Sequence, residues 1–266
     1  MSDGLDYPKL ENQPLTLVLA EFRINALNLD AATSGTFRSA ISDWLGVECT
    51  ERVRQAVSLD EGSIRVHAGL YLCWDAPESG RWVQLEAQRL IYATTRYPRF
   101  GGFSSQCREI LSHLADAFKV RELRRVGLRY NDCVVPDAEE DLGNYLHGEF
   151  LPSTHITEGR SVVRHGTETI LETDAGHISI RCMVGKLGMA VMPDVSQQFN
   201  SLPAAEVPVD RAVAVLDFDH FWQAPDDTAV EFSVDAALGK LGELHEPARQ
   251  AFWQVTTDYA RSEKWR

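Results

Sequence analysis

The sequence predicts an α+β fold made of two ferredoxin-like halves, with antiparallel sheets and a long C-terminal helix. Three observations lead to this fold class. Strand-like and helix-like patterns follow one another up to residue 136 in the order β-α-β-β-α-β, which is the split βαβ unit of ferredoxin-like folds. Residues 161–192 have the pattern of a β-hairpin, and residues 234–259 carry a continuous apolar stripe at helical spacing.

The first predicted half covers residues 14–136 and follows an irregular N-terminal arm at residues 1–13. Residues 14–25 alternate as a strand does, and the next segment has Phe37, Ile41 and Leu45 at helical spacing before Gly46. Residues 63–74 and 81–97 are predicted to be two strands joined by a turn. A second helix at 101–119 and a strand at 124–135, ended by Pro136, complete this half.

The second predicted half covers residues 137–266. It begins with a short helix at 138–150 and continues with two strands, 161–174 and 176–192, joined by a turn. Another strand is predicted at 211–222 before the closing helix. Because an interior proline removes a helical hydrogen bond, Pro247 predicts a kink in this helix or a division into two helices.

Composition and charge limit the class of protein. The formal net charge is −13, which disfavours a protein that binds the phosphates of nucleic acids or an anionic membrane surface. The opening residues lack the pattern of a secretory signal, and no apolar run reaches the length of a membrane span, so we expect a cytoplasmic protein. The five cysteines show no CxxC spacing, and we expect neither a cofactor nor a bound metal.

Charged side chains in the predicted strands suggest a polar network. In "RRVGLRYND", Arg129 lies between two core-forming residues, where an unpaired charge is costly. We therefore expect Arg129 to pair with a carboxylate of the same network, whose members are Glu21, Arg23, Arg129, Asp217 and Asp219. The alternative is that Asp217 and Asp219 present their oxygens to a metal such as Mg²⁺.

The segment "RYPRFGGF" is a second candidate site. Arg96 and Arg99 alternate with Tyr97 and Phe100 just before a predicted helix. Arginine and aromatic side chains can contact an anion or stack on a base at such a position. The alternative is a strand-to-helix turn held by two aromatic residues. The common hydrolase and nucleotide-binding motifs are absent from the sequence, so no catalytic residue is predicted.

Several of these motifs together resemble a sporadically distributed bacterial protein family of similar length and no established function. The resemblance covers nearly the whole chain in order: the strand 14–24, the "YPRF" turn at 97–100, the "RVGLRYN" strand at 125–131, "LDFDHF" at 216–221 and the closing "LHE…F…T" at 244–256. It departs from the family at Pro247 and in the order "EFRI" at 21–24. The resemblance implies a shared fold and shared polar positions but no reaction.

From these observations we expect a non-enzymatic protein that binds a protein partner. Analogy with other sporadically distributed bacterial genes suggests a subunit or inhibitor in a defence or toxin-neutralising system. The acidic charge and the missing catalytic motifs favour this interpretation. One alternative is an RNA-binding or RNA-processing protein with paired ferredoxin-like domains, which would need a basic groove. A further alternative is a metal-dependent enzyme that uses Asp217 and Asp219.

Overall fold

The computed structural model describes residues 7–60, 63–158, 160–199, 201–202, 207–225 and 228–266, with the backbone alone for 54–60 and 63–67. The strands are β1 (Leu15–Ile24), β2 (Thr50–Asp60), β3 (Ser63–Ala76), β4 (Arg81–Glu86), β5 (Arg89–Thr94), β6 (Glu122–Val134), β7 (Arg164–Thr173), β8 (Gly176–Gly185), β9 (Val213–Gln223) and β10 (Val230–Glu231). The α-helices are α1 (Ala31–Leu45), α2 (Arg99–Ala117), α3 (Thr154–Thr157), α4 (Pro193–Gln198) and α5 (Val234–Val255).

Ten strands form one antiparallel sheet in the order β2-β3-β4-β5-β1-β6-β9-β8-β7, with β10 paired to β6. The predicted α+β class, the antiparallel pairing and the C-terminal helix are therefore confirmed. Strands from the two predicted halves join where β6 pairs with β9 along ten residue pairs, from Arg125 with Gln223 to Val134 with Ala214. The sheet is thus continuous across both ranges.

The two faces of the sheet are covered differently. On one face, side chains such as Phe22, Leu128 and Phe218 pack beneath α1, α2 and α5 in the larger apolar core. The opposite face packs a smaller apolar cluster, including Leu17 and Trp82, against the segment around α4. Because successive strand residues point to opposite faces, each strand contributes to both layers.

Local signals place the ends of the main helices. Asp30 caps α1 by accepting a hydrogen bond from the Thr33 backbone N–H, and Gly46 ends the helix with a φ of 73°. Ser233 caps α5 in the same way through the Ala236 backbone N–H. Along α5, Leu238, Leu241 and Ala248 are buried, as the apolar stripe predicts.

The order of elements in the first half differs from β-α-β-β-α-β, because four strands rather than two lie between α1 and α2. Residues 81–97 form a hairpin, β4 and β5, whose two-residue turn at Ala87 and Gln88 lacks the Gly or Asn that usually marks such a turn. Strand β2 was not predicted, although Val53, Val57 and Leu59 fall at alternate positions in its sequence; it ends the sheet order, and its Val53 is 64% exposed.

Two features of the second half also differ from the prediction. Residues 138–150 contain two short 3₁₀ turns, Leu142–Asn144 and Gly148–Phe150, in place of a helix, because Asp141 and Asn144 bond to the local backbone. Pro247 lies inside α5, which continues through it as one helix to Val255. The hairpin of β7 and β8 is present as predicted.

In the described ranges, none of the helices combines the length and the apolar content that crossing a bilayer requires.

Candidate functional site: a cleft under the N-terminal arm

A cavity of about 550 Å³ lies between the N-terminal arm, the start of α2, the C-terminal half of α5 and strands β6 and β9. We call it the arm cleft. The arm reaches it because Asn12 N–H donates to the Trp265 carbonyl at 3.0 Å and Cys133 N–H donates to the Pro14 carbonyl at 2.8 Å. The ring centroids of Tyr7 and Trp253 lie 4.8 Å apart, and both residues line the cleft.

Asp132 is the buried acid of the arm cleft. It lies on the helix-covered face of β6, lines the cavity and is only 3% exposed. Its carboxylate makes no hydrogen bond or ion pair with any residue that the structure describes. Burial, with a smaller contribution from the negative charge of Asp217, raises the pKa of Asp132 to about 8. Asp132 is therefore protonated at neutral pH in the free protein.

A chain of hydrogen bonds runs beside Asp132. The hydroxyls of Tyr97 and Tyr130 lie 3.2 Å apart, and the Tyr130 hydroxyl lies 2.9 Å from Nδ1 of His245. Burial, helped by the charge of Arg249, lowers the pKa of His245 to about 4, so its ring is neutral. An order in which Tyr97 donates to Tyr130, and Tyr130 donates to His245, satisfies all three groups.

Phe100 packs the start of α2 against this chain, and Arg99 precedes it. The Phe100 ring stacks on His245 with centroids 4.1 Å apart and planes within 2° of parallel. Arg99 has a φ of 68°, which is costly for a residue with a side chain, by about 1–3 kcal/mol. Strained backbone of this kind is concentrated at functional sites. Here the strained residue lines the arm cleft.

The second candidate segment therefore divides in two. Tyr97, Arg99 and Phe100 line the arm cleft, whereas Arg96 is exposed and does not line it. The two aromatic residues also pack around the turn into α2, so the turn and the lining of the cleft share the same side chains.

Arg129 belongs to a different site, on the opposite face of the sheet. It is 8% exposed, and its Nε donates to Asp217 Oδ1 at 2.6 Å. Its Nη1 lies 2.8 Å from Oδ2 of Asp194, which is in α4. Burial lowers the pKa of Arg129, but the charge of Asp217 and hydrogen bonds to both carboxylates raise it more, so the net pKa is raised. The arginine thus pairs with one predicted carboxylate and with one that was not predicted.

The carboxylate of Asp217 is fully engaged by protein donors. It is 0% exposed and accepts hydrogen bonds from Arg129, from Arg181 at 2.8 Å and from Asn131 at 2.6 Å. Asn131 in turn accepts a hydrogen bond from the Met192 backbone N–H at 2.9 Å. This network fastens the α4 segment to the sheet, and it leaves the oxygens of Asp217 occupied rather than turned towards a metal.

Two other members of the predicted network, Glu21 and Arg23, belong to a separate group of ion pairs. Glu21 bonds to Arg23 at 2.8 Å and to Arg89 at 3.2 Å, and lies 3.5 Å from Arg125. Asp219 lies beside Arg129 in the pairing of β6 and β9, and burial raises its pKa against the opposing charge of Arg129. In the described residues, no three His, Cys, Asp or Glu side chains are grouped to hold a metal ion.

Sequence reasoning missed Asp132, Asp194 and Arg181. A signal for Asp132 was present, because alternation in β6 places it on the apolar face with Leu128 and Tyr130, where an acid is unusual. No comparable signal exists for Asp194, since it comes from an irregular segment that approaches Arg129 only in the folded chain. The cleft itself depends on elements far apart in sequence.

Comparison with known proteins gave no relative to guide the assignment: no family model matches the chain, and no curated protein shows significant similarity.

Proposed function

We propose that the protein binds a small organic molecule in the arm cleft. The single observation that carries this proposal is the buried acid Asp132, without a partner among the described residues, at a cavity of about 550 Å³. Ligand sites in proteins are concave, largely apolar and supplied with a few directed polar groups. The aromatic residues, Asp132 and the Tyr130–His245 pair match this description.

The experiment compares two glycine variants. Gly101 lines the cleft and Gly239 does not; each is exposed in a helix, and a Cβ atom at either would meet nothing within 4 Å. We expect Gly101→Trp to obstruct the cleft while Gly239→Trp, the matched control, leaves it open. Neither change should disturb the core.

The parent and both variants would be screened by ligand-observed NMR and thermal shift against cationic, neutral and anionic small molecules. We expect some compounds to bind the parent saturably and to bind Gly239→Trp with the same affinity. Their affinity for Gly101→Trp should be at least about tenfold lower, which corresponds to a loss of about 1.4 kcal/mol of binding free energy. Binding that is unchanged in Gly101→Trp, or a parent that binds no compound, would exclude this function.

As a second function we propose that the protein is a non-enzymatic cytosolic subunit or inhibitor of a bacterial defence system that binds a protein partner. Strand β7 favours it, since β7 ends the sheet order and all its side chains are exposed or partly so. Ile170 is 64% exposed and Leu171 46% exposed. An edge strand with apolar side chains can accept an added strand from a partner. We include in this proposal that the protein is related to the bacterial family that its motifs resemble, and that it is organised as two ferredoxin-like halves.

The test of a β7 partner is affinity capture after nuclease treatment. We expect Ile170→Lys to lose the partner while its melting temperature stays close to that of the parent, because exposed substitutions change stability by about 0.5 kcal/mol or less. Val209→Lys is the control, since Val209 is 72% exposed and lies outside the strands. Capture that nuclease abolishes would instead support the RNA-binding alternative, and capture unaffected by Ile170→Lys would rule out β7.

A further inference from the structure

Asp132 is the buried acid that lines the arm cleft, and it becomes a charge there when its carboxyl group loses its proton. The other acid that lines the cavity, Glu11, is exposed and lies 3.7 Å from Lys9. The contrast with Asp217 is informative, because Asp217 is equally buried and its oxygens accept several hydrogen bonds. A buried carboxylate is ordinarily paired or hydrogen-bonded. Asp132 therefore lacks in the free protein the partner that a bound molecule could supply.

The surroundings of Asp132 favour an organic cation. Seven aromatic residues line the cleft: Tyr7, Tyr97, Phe100, Tyr130, Phe218, Phe252 and Trp253. Aromatic ring faces attract organic cations, and this attraction strengthens when the site is shielded from water. Phe252 and Phe218 pack with centroids 6.1 Å apart, which joins α5 and β9 on one side of the cavity.

The positive side chains of the cleft lie nearer to solvent. Lys9 and Arg99 are exposed. Arg249 is partly exposed, pairs with Glu246 at 2.9 Å and stacks over the Tyr7 ring at 4.7 Å. Solvent screens such charges far more than it screens a buried acid. The sign of the field at the buried end of the cleft is therefore decided by the state of Asp132.

We infer that the ligand of the arm cleft is an organic ammonium, a small molecule whose protonated or quaternary amine lies against the Asp132 carboxylate among the aromatic side chains. This inference rests on the proposed ligand-binding function of the cleft and specifies its chemistry. The ammonium replaces the proton of Asp132 and supplies the countercharge of the carboxylate. The aromatic rings contact the carbon substituents of the ammonium.

Proton release should accompany binding of this class of ligand. Since burial holds the pKa of Asp132 at about 8, an ammonium must displace the proton, and its affinity should rise about tenfold per pH unit up to pH 8 and then level off. The other titratable groups that line the cleft from the arm and the helices are Tyr7, Lys9, Glu11, Arg99, His245 and Arg249. Tyr97 and Tyr130 line it beside Asp132. Because the pKa of His245 is lowered to about 4 and those of Tyr97 and Tyr130 are raised, none of these three side chains titrates between pH 6 and 8.5.

The experiment uses the full chain and pairs of probes with the same shape. Choline is compared with its neutral isostere 3,3-dimethylbutan-1-ol, and phenethylamine with phenylethanol, by NMR titration at pH 6.5, 7.5 and 8.5. We expect each cation to bind the parent at least tenfold more tightly than its neutral counterpart at pH 8.5, with an affinity that rises with pH.

Variants at position 132 connect this preference to the acid. Asp132→Asn should lose the tenfold preference and the pH dependence, while Asp132→Glu should keep part of both. Circular dichroism and melting curves establish that each variant is folded. Equal binding of cation and neutral isostere to the parent, or an unchanged preference in Asp132→Asn, overturns the inference.

The outcomes also separate this inference from the proposed function. If neutral or anionic compounds bind the cleft, as judged by Gly101→Trp, while the ammonium probes do not, the ammonium assignment is wrong and the ligand-binding function stands. If no compound of any class binds the parent, both are wrong.

Discussion

Replacing Arg129 with alanine should lower the free energy of unfolding by about 3–5 kcal/mol, because it removes one partner of a buried ion pair. Arg129 bonds Asp217, which is 0% exposed, and Asp194, which belongs to the covering segment around α4. The variant would leave Asp217 with Arg181 and Asn131 alone and would remove one of the ion pairs that join the α4 segment to the sheet. Urea unfolding at pH 7 measures the change.

A matched control separates burial from charge. Arg23 also pairs with a carboxylate, Glu21, at 2.8 Å, but its side chain is 48% exposed. We expect Arg23→Ala to cost about 0–1 kcal/mol, as exposed ion pairs do. An Arg129→Ala variant no less stable than Arg23→Ala would show that the Arg129 network does not hold the sheet and the α4 segment together.

Replacing Asp132 with asparagine should stabilise the protein, and the gain should grow with pH. The pKa of Asp132 is raised from 3.8 to about 8 on folding. Because the folded protein holds this proton more tightly than the unfolded chain does, the proton contributes to the free energy of unfolding. This contribution is fully present below pH 4 and is lost as the pH rises towards 8. Asparagine does not titrate, so the difference between variant and parent should increase by about 1.4 kcal/mol per pH unit over this range.

Urea unfolding of both proteins at pH 5, 6, 7 and 8 tests this, and subtracting the parent at each pH cancels the other titrating groups. Asp116→Asn is the control, because Asp116 is exposed near the end of α2. Its effect on the free energy of unfolding should be small, because exposed substitutions change stability by about 0.5 kcal/mol or less. A difference for Asp132→Asn that is flat across these pH values, or a variant less stable than the parent at pH 8, would contradict the assigned environment of Asp132.

A stabilising substitution at Asp132 would also bear on function. Residues kept at a cost in stability are characteristic of binding and catalytic sites. By contrast, the Arg129 network should stabilise the fold, since its donors and acceptors are paired with one another. The two sites lie on opposite faces of β6, only three residues apart in sequence, and they should respond to substitution with opposite signs.

The sequence alone determined the elements whose apolar period is strong. β1, β6 and β9 have strand-length runs rich in apolar residues because they lie in the middle of the sheet and are largely buried, and α5 shows its stripe because one side of the helix is buried. It also determined that Arg129 needs a carboxylate, because a charge in the middle of an apolar strand is costly without one. The hairpin of β4 and β5 was not determined in this way, since its turn residues Ala87 and Gln88 carry no turn signal.

Only the tertiary structure decided what each buried group lies against. Periodicity reports that Asp132 lies on the apolar face of β6, but the cleft that it lines is completed by the arm, α2 and α5, from positions up to 125 residues away, at Tyr7. In the same way Asp194 reaches Arg129 across 65 residues. The physical reason is that hydrophobic patterns report burial, whereas partners are selected by the packing of distant elements, which no local pattern records.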